Sequence, residues 1–377
     1  MSTGRPCRSV WPSSRASPAR STDCRTRRPP SSWPPRSSAS PRWSPRPDGS
    51  VSEPGRRRVV TDPDVEIEVF DSGPGPSRTV VLLHGFPETG HSWRHQTGPL
   101  VNAGLRVIVP DQRGYGRSSR PESISDYRAD RLTGDIAAIL DDAGIDDAII
   151  VGHDWGAIVA WHMAQLHPGR CAAVIAASVP WTPWPMAPTE LLRAVHGDSF
   201  FYILHFQTPG VAEGEMEVDV ERFLLSIAWA AAAEGMATHD PTPLPASGTT
   251  VTEAFEHQSG GRRTSPPPWL SDSDLAVYVE QFDHSGFLGP VNWYRNFDAN
   301  HTLTAELGAE PITMPTFFVA GALDPVILGR DDYLARMGTD LADHRATVLI
   351  PDVGHWVQQE APEEFNRVVL EFIEQVG

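Results

Sequence analysis

An α/β fold is predicted: a mostly parallel sheet flanked by helices, with an inserted, mainly helical cap. Three observations carry that expectation. Short apolar runs alternate with stretches of helical spacing from about residue 64 to the C-terminus. The alternation lapses over residues 181–300 and then resumes. The residues fit for chemistry fall just after the apolar runs, where such sheets place their sites.

Residues 1–57 come first and are unlike the rest. They are dominated by Pro, Ser and Arg, with scattered Trp11, Trp33 and Trp43 and no apolar period of either kind. Such a segment cannot bury enough surface to offset its ordering entropy, so a disordered leader is expected. It lacks the apolar core of a secretion signal, and its prolines oppose the amphipathic helix of an organelle-targeting peptide.

Residues 58–180 and 301–377 are expected to form the sheet domain. Runs at 79–83, 106–109, 148–151, 173–177, 316–320 and 347–350 read as buried strands. Between them Leu132, Ile136, Ile139 and Leu140 repeat at helical spacing, with Gly144 as a stop. Phe365, Val368, Val369, Phe372, Ile373 and Val376 mark one face of a closing helix. Residues 181–300 are expected to form the cap, with helical stretches such as 274–282. The Pro/Gly/Ser/Thr-rich span at 239–268 is expected to be an irregular loop.

Charge narrows the partners. Every basic residue other than histidine is arginine, and 13 of the 31 lie in the first 58 positions. The remainder carries 18 arginines against 45 acidic residues, so nucleic acid and anionic lipid would be repelled. Nothing approaches the ~18 consecutive apolar residues that a membrane span needs. Of Cys7, Cys24 and Cys171 only the last falls in the folded part, so no disulfide framework is expected and a cytoplasmic location is the simplest reading.

The chemistry is concentrated at strand ends. Ile149-Ile150-Val151 runs into Gly152-His153-Asp154-Trp155-Gly156-Ala157 and then a long apolar stretch. This is the G-x-nucleophile-x-G turn, whose small residues let the chain hold a strained, exposed side chain. The central residue is aspartate, and a carboxylate at a helix start is a competent nucleophile toward saturated carbon. An aspartate there often only caps the helix; the flanking glycines and the preceding strand favour the nucleophile. His84-Gly85-Phe86-Pro87 follows another strand, and its Phe86 N–H with that of Trp155 would form an oxyanion hole. Asp324, in Gly321-Ala322-Leu323-Asp324, and His355, in Pro351-Asp352-Val353-Gly354-His355-Trp356, complete a triad in the order nucleophile, acid, histidine.

Taken together, HGFP, DQRGYGRSSRP, GHDWGA, GALDP and DVGHW resemble the soluble epoxide hydrolases of the α/β-hydrolase superfamily, over residues 62 to the C-terminus. The resemblance implies an α/β-hydrolase fold. It also implies two cap tyrosines that donate hydrogen bonds to the epoxide oxygen; FFYILHFQTPGVAE and GPVNWYRN match at Tyr202 and Tyr294. The implied substrates are a small-molecule epoxide and water, and the implied product is a vicinal diol. Asp154, Asp324, His355, Tyr202 and Tyr294 would be catalytic, with Trp155, Tyr202 and Tyr294 also touching the substrate. Neither a metal nor an organic cofactor is implied.

Two other readings stand beside this one. A haloalkane or haloacid dehalogenase also uses an aspartate at this turn, but its halide needs N–H donors, typically from Trp indoles or an Asn in the HG-x-P turn. Phe86 holds that position, whereas Trp155, Trp181, Trp184 and Trp293 keep the reading open. A catalytically idle binding protein would be favoured by a missing triad residue, and none is missing.

Overall fold

The computed structural model describes residues 55–75, 77–306 and 311–376. The leader expected over residues 1–57 therefore lies outside the described residues except at 55–57, where it overlaps the first strand. Strand β1 spans Gly55–Asp62 and β2 spans Val65–Asp71, and they pair antiparallel. The arginine run that gave this stretch its leader-like look is cross-strand chemistry. Arg56 meets Glu68 at 2.9 Å, Arg57 meets Asp71 at 3.4 Å and Arg58 meets Glu66 at 3.2 Å.

The chain then alternates as expected. β3 (Thr79–Leu83) leads to α1 (Arg94–Asn102), β4 (Arg106–Asp111) to α2 (Ala129–Asp142), and β5 (Ala148–His153) to α3 (Trp155–Leu166). β6 (Cys171–Ala177) is followed by the inserted helices. β7 (Thr316–Gly321), α13 (Asp331–Asp340), β8 (His344–Ile350), α14 (Val357–Glu360) and α15 (Pro362–Val376) close the fold. The sheet order is β1-β2-β4-β3-β5-β6-β7-β8, parallel from β4 onward, so β5 sits near the centre.

Period-two alternation splits the sheet's side chains between two cores. Val81, Leu83, Ile150, Val174 and Phe318 point to one face, with Leu132 and Ile136 of α2 and Ala160 of α3. Val80, Leu82, Ile149, Val151, Ile175 and Val319 point to the other, with Leu100 of α1 and Phe365, Val369 and Phe372 of α15. The strands therefore read as unbroken apolar runs, because both faces are covered. Strands β1, β2 and edge strand β8 are exceptions, each with partly exposed alternate residues, so the expectation of a buried strand at 347–350 is corrected to a half-covered one.

Nine helices among the described residues fill the interval between β6 and β7. They are α4 (Pro188–His196), α5 (Tyr202–His205), α6 (Val211–Glu217), α7 (Val220–Ala231), α8 (Ala233–Met236), α9 (Val251–Gln258), α10 (Asp272–Ser285), α11 (Leu288–Arg295) and α12 (Phe297–Glu306). Two expectations are corrected here. The span 239–268 is not all loop, because α9 lies within it. Its start is a capping box, with Thr250 Oγ1 accepting from Glu253 N at 3.3 Å and Thr250 N donating to the Glu253 carboxylate at 3.1 Å. The boundary expected at residue 300 falls inside α12, so the insertion ends one helix turn or more later. No helix among the described residues is long and apolar enough to cross a membrane.

Candidate active site

The turn between β5 and α3 has no room for side chains. A Cβ on Gly152 would lie 2.0 Å from the Gly156 carbonyl oxygen, and one on Gly156 would lie 2.0 Å from that of Leu83. These close approaches hold Asp154 at φ 52° and ψ −117°, a conformation that costs a non-glycine residue about 1–3 kcal/mol. Asp154 does not cap α3 in the ordinary way, since an N-cap has extended backbone and accepts from the second or third helical N–H. Instead its Oδ1 accepts from Phe86 N at 2.8 Å, and its carboxylate accepts from Trp155 N as well. The two N–H groups expected to form an oxyanion hole therefore converge on the Asp154 carboxylate.

His355 and Asp324 arrive from the ends of β8 and β7. His355 Nδ1 lies 3.1 and 3.2 Å from the two Asp324 oxygens, and its Nε2 lies 3.7 Å from Asp154 Oδ2. The histidine is fixed through its backbone too. Its N–H donates to Ala231 O of the insertion at 2.8 Å, and its carbonyl accepts from Ser178 Oγ at 2.9 Å and His153 Nε2 at 2.8 Å. Burial works against a charge on His355, but Asp324 and then Asp154 outweigh it and raise the imidazole to about 9. For Asp154 burial is the largest influence and lifts the carboxyl above its ordinary value, against His355, His153 and the two N–H donors. The helix start alone therefore does not set its ionisation.

Tyr202 and Tyr294 descend from the insertion on α5 and α11. Their rings lie 5.8 Å apart at 78°, and their hydroxyls share a hydrogen bond. Tyr294 also has a side-chain hydrogen bond with Trp155. Burial, reinforced by the neighbouring Asp154 charge, raises both phenols, so both remain protonated and able to donate. His205, one turn beyond Tyr202, bonds Glu215 at 2.8 Å instead of joining them. Phe86 packs edge-on against Tyr294, and Trp155 stacks on Phe297 with centroids 4.8 Å apart.

All seven residues singled out from the sequence meet at one mostly apolar cavity of about 580 Å³, directly or, for Asp324, through His355. Trp181 and Trp184 also line it. Trp293 does not: it is fully buried, and its indole donates to Arg113 O at 3.1 Å. Cys171 is no rival nucleophile, since burial and then Asp147 push its thiol up to about 12.

Sequence reasoning missed a buried pair beneath the triad. His153 Nδ1 lies 2.8 Å from Glu88 Oε2, and its Nε2 faces the His355 carbonyl. The Glu88 carboxyl also accepts from Gly85 N, Gln358 and Gln359 at 2.7–3.1 Å. Burial opposes the Glu88 charge, yet His153 and these donors hold its pKa below the ordinary value. The pair ties the HGFP turn, the elbow and the His355 loop together. The signal was available, since Glu88 and His153 sit inside or beside the motifs already singled out.

Comparison with known proteins agrees with the geometry. A family model described as the α/β hydrolase fold matches residues 78–221. Epoxide hydrolase A of Mycobacterium tuberculosis is 41% identical over 318 residues, which is 84% of this chain and 96% of that one. Epoxide hydrolase B of the same organism is 37% identical over 341 residues, covering 81% and 94%. Among solved structures, epoxide hydrolase A from Mycobacterium thermoresistibile superposes with a TM-score of 0.78 at 40% identity, over 85% of this chain and 98% of that one. An epoxide hydrolase from an endophytic Streptomyces gives 0.77 at 35%, covering 85% and 96%. With relatives this similar over more than four-fifths of its length, the chain belongs to the epoxide hydrolase family of the α/β-hydrolase fold.

Proposed function

We propose that this protein adds water to an epoxide, giving a vicinal diol through a covalent ester on Asp154. The observation that carries the proposal is the pair of mutually bonded tyrosine hydroxyls facing a carboxylate whose Oδ1 is held by backbone N–H groups. An epoxide opens when a nucleophile reaches carbon while its oxygen receives a proton or hydrogen bond. Asp154 Oδ2 would supply the first and Tyr202 and Tyr294 the second.

Charge bookkeeping then gives His355 two states. With Asp154 ionised the imidazole is protonated at neutral pH. Once Asp154 becomes a neutral ester, that partner is gone and the imidazole pKa falls. A proton leaving His355 restores the tyrosine acid, and the neutral ring can take a proton from water. The hydroxide formed attacks the Asp154 carbonyl carbon, Phe86 and Trp155 N–H groups hold the oxyanion, and the diol leaves. One Asp154 oxygen departs in the diol, and one water oxygen remains in its place. The intervening diol alkoxide takes up the proton lost from the acid intermediate, so the charges return to their starting state.

Dehalogenation fits less well. Phe86 offers no side-chain donor, the Trp293 indole is committed to Arg113, and Trp155 is engaged with Tyr294. Diol formation from styrene oxide in ¹⁸O-water, with the label appearing in Asp154 after several turnovers, tests the proposal. Halide release from a haloalkane without diol formation would overturn it. A cytoplasmic setting is part of the same reading, consistent with the free, buried Cys171.

Two further outcomes follow from the geometry. Tyr202→Phe or Tyr294→Phe alone is expected to lower kcat/KM roughly 10- to 100-fold, and the double variant roughly 1,000-fold or more, because each hydroxyl partly substitutes for the other. Steady-state diol assays check this, and equal rates for wild type and double variant would refute the tyrosine role. His355 also imposes a pH dependence on stability. Its pKa is about 9 folded and near the ordinary imidazole value of 6.5 unfolded, so the contribution is fully present below 6.5 and lost as pH rises through 9. Calorimetry should show wild type losing up to about 3 kcal/mol more than His355→Gln between pH 6.5 and 9.5.

A further inference from the structure

The cavity extends along α3 past the reacting groups, and its wall carries polar side chains that ring opening does not use. Helices α3 and α12 both start beside the nucleophile, where Phe297 stacks on Trp155, and both send cavity-lining residues further along. The polar ones from α3 are His162 and Gln165; those from α12 are Asn300, whose Oδ1 is already taken by Ala129 N at 2.8 Å, His301 and Thr304.

The hydrogen bonds fix what these side chains present. His162 Nδ1 lies 2.8 Å from Ile158 O, and a carbonyl only accepts, so this nitrogen carries the proton and the neutral ring offers Nε2 as a lone pair. His301 Nε2 lies 3.2 Å from Trp184 O and so carries a proton, which makes Nδ1 the acceptor of the neutral tautomer. Thr304 Oγ1 donates back to Asn300 O at 3.1 Å and His301 O at 3.0 Å, so its free capacity is also acceptance. Burial lowers the His162 pKa against the bond to Ile158, which keeps that ring neutral near pH 7. Gln165 adds an amide about one turn further along α3.

We infer that the cavity wall around His162 is a subsite for a hydroxyl group on the epoxide substrate, remote from the oxirane. Acceptors on three of these lining side chains select a donor, and they disfavour a carboxylate, which would set its own lone pairs against theirs. Arg330, the arginine among the described lining residues, enters the wall from the Asp324 side and not from α3 or α12. Helix α3 acts as the ruler. From Asp154 to His162 it rises roughly 12 Å, which an extended chain covers in roughly ten bonds at ~3.6 Å per three.

The inference rests on the proposed function, and one substrate series separates the two. Terminally hydroxylated 1,2-epoxyalkanes of about 8 to 14 carbons would be compared with unsubstituted and terminally carboxylated epoxides of equal length. For wild type, kcat/KM is expected to favour the hydroxylated over the unsubstituted compound about tenfold near 10 to 12 carbons, and little at the shortest length. In His162→Leu and in His301→Leu that ratio should fall toward one, and His162→Gln, which keeps an acceptor, should restore part of it. Each ratio is internal to one preparation, so a partly unfolded variant does not distort it. A wild-type ratio near one at every length, or a preference for the carboxylated series, overturns the inference alone. A wild type that opens none of the epoxides overturns the proposed function as well.

Discussion

Asp154→Asn is expected to lower epoxide turnover roughly 10⁴-fold or more while leaving the melting temperature unchanged or slightly higher. The activity loss follows from chemistry, since a neutral amide is a far weaker nucleophile than a carboxylate and the ester cannot form. The stability effect follows from the site's own cost. Asp154 sits in a strained conformation, and burial raises its carboxyl above the ordinary value, so the folded protein carries a charge it would shed more easily than an exposed aspartate would. An amide keeps the contact with Phe86 N and removes that burden. Steady-state diol assays and calorimetry on the same preparation read both quantities. Slow recovery of activity on standing would mark deamidation back to aspartate, and Asp154→Ala, which cannot recover, is the control. Retention of even one-hundredth of the activity in Asp154→Ala would remove Asp154 from the nucleophile's place.

The contrast between what was legible in the sequence and what was not has a physical origin. Strands buried on both faces, β3, β5, β6 and β7, are continuous apolar runs with sharp ends, and such ends announce the turns that hold Phe86, Asp154 and Asp324. Edge elements carry no such signature. β1 is built on Arg56, Arg57 and Arg58, whose stabilisation comes from carboxylates on a neighbouring strand, so local composition resembles a charged tail. Helix α9 was hidden in a stretch of turn-forming residues, and only the Thr250/Glu253 spacing marks its start.

Within the site, residues with an obvious reactive role were found one by one, whereas residues acting through others were not. Glu88 and His153 are invisible as a pair until the fold brings together segments 65 positions apart. The tyrosines were found through resemblance of their surroundings, because nothing in a lone tyrosine on a helix distinguishes an acid from a packing residue.

His355→Gln should divide the reaction at its midpoint. Glutamine can keep a polar contact with Asp324 but cannot take a proton from water, so ring opening would proceed and hydrolysis would stall. Mixed with excess epoxide, the variant is expected to gain the mass of one substrate molecule per chain, with the addition mapping to the peptide containing Asp154. Steady-state turnover should fall by roughly 10³- to 10⁴-fold, after a first turnover that consumes about one equivalent of epoxide. The 3.7 Å between His355 Nε2 and Asp154 Oδ2 makes the variant informative. That separation is too long for a direct hydrogen bond, so removing the imidazole takes away a charge and a base without breaking a contact that positions the nucleophile. Some slowing of ring opening is still expected, because the imidazolium that helps to keep Asp154 ionised is lost. Rapid-quench measurement of epoxide loss separates that effect from the hydrolytic block. If the variant consumed epoxide at the wild-type steady rate, or consumed none while remaining folded, His355 would not be the base that releases the ester.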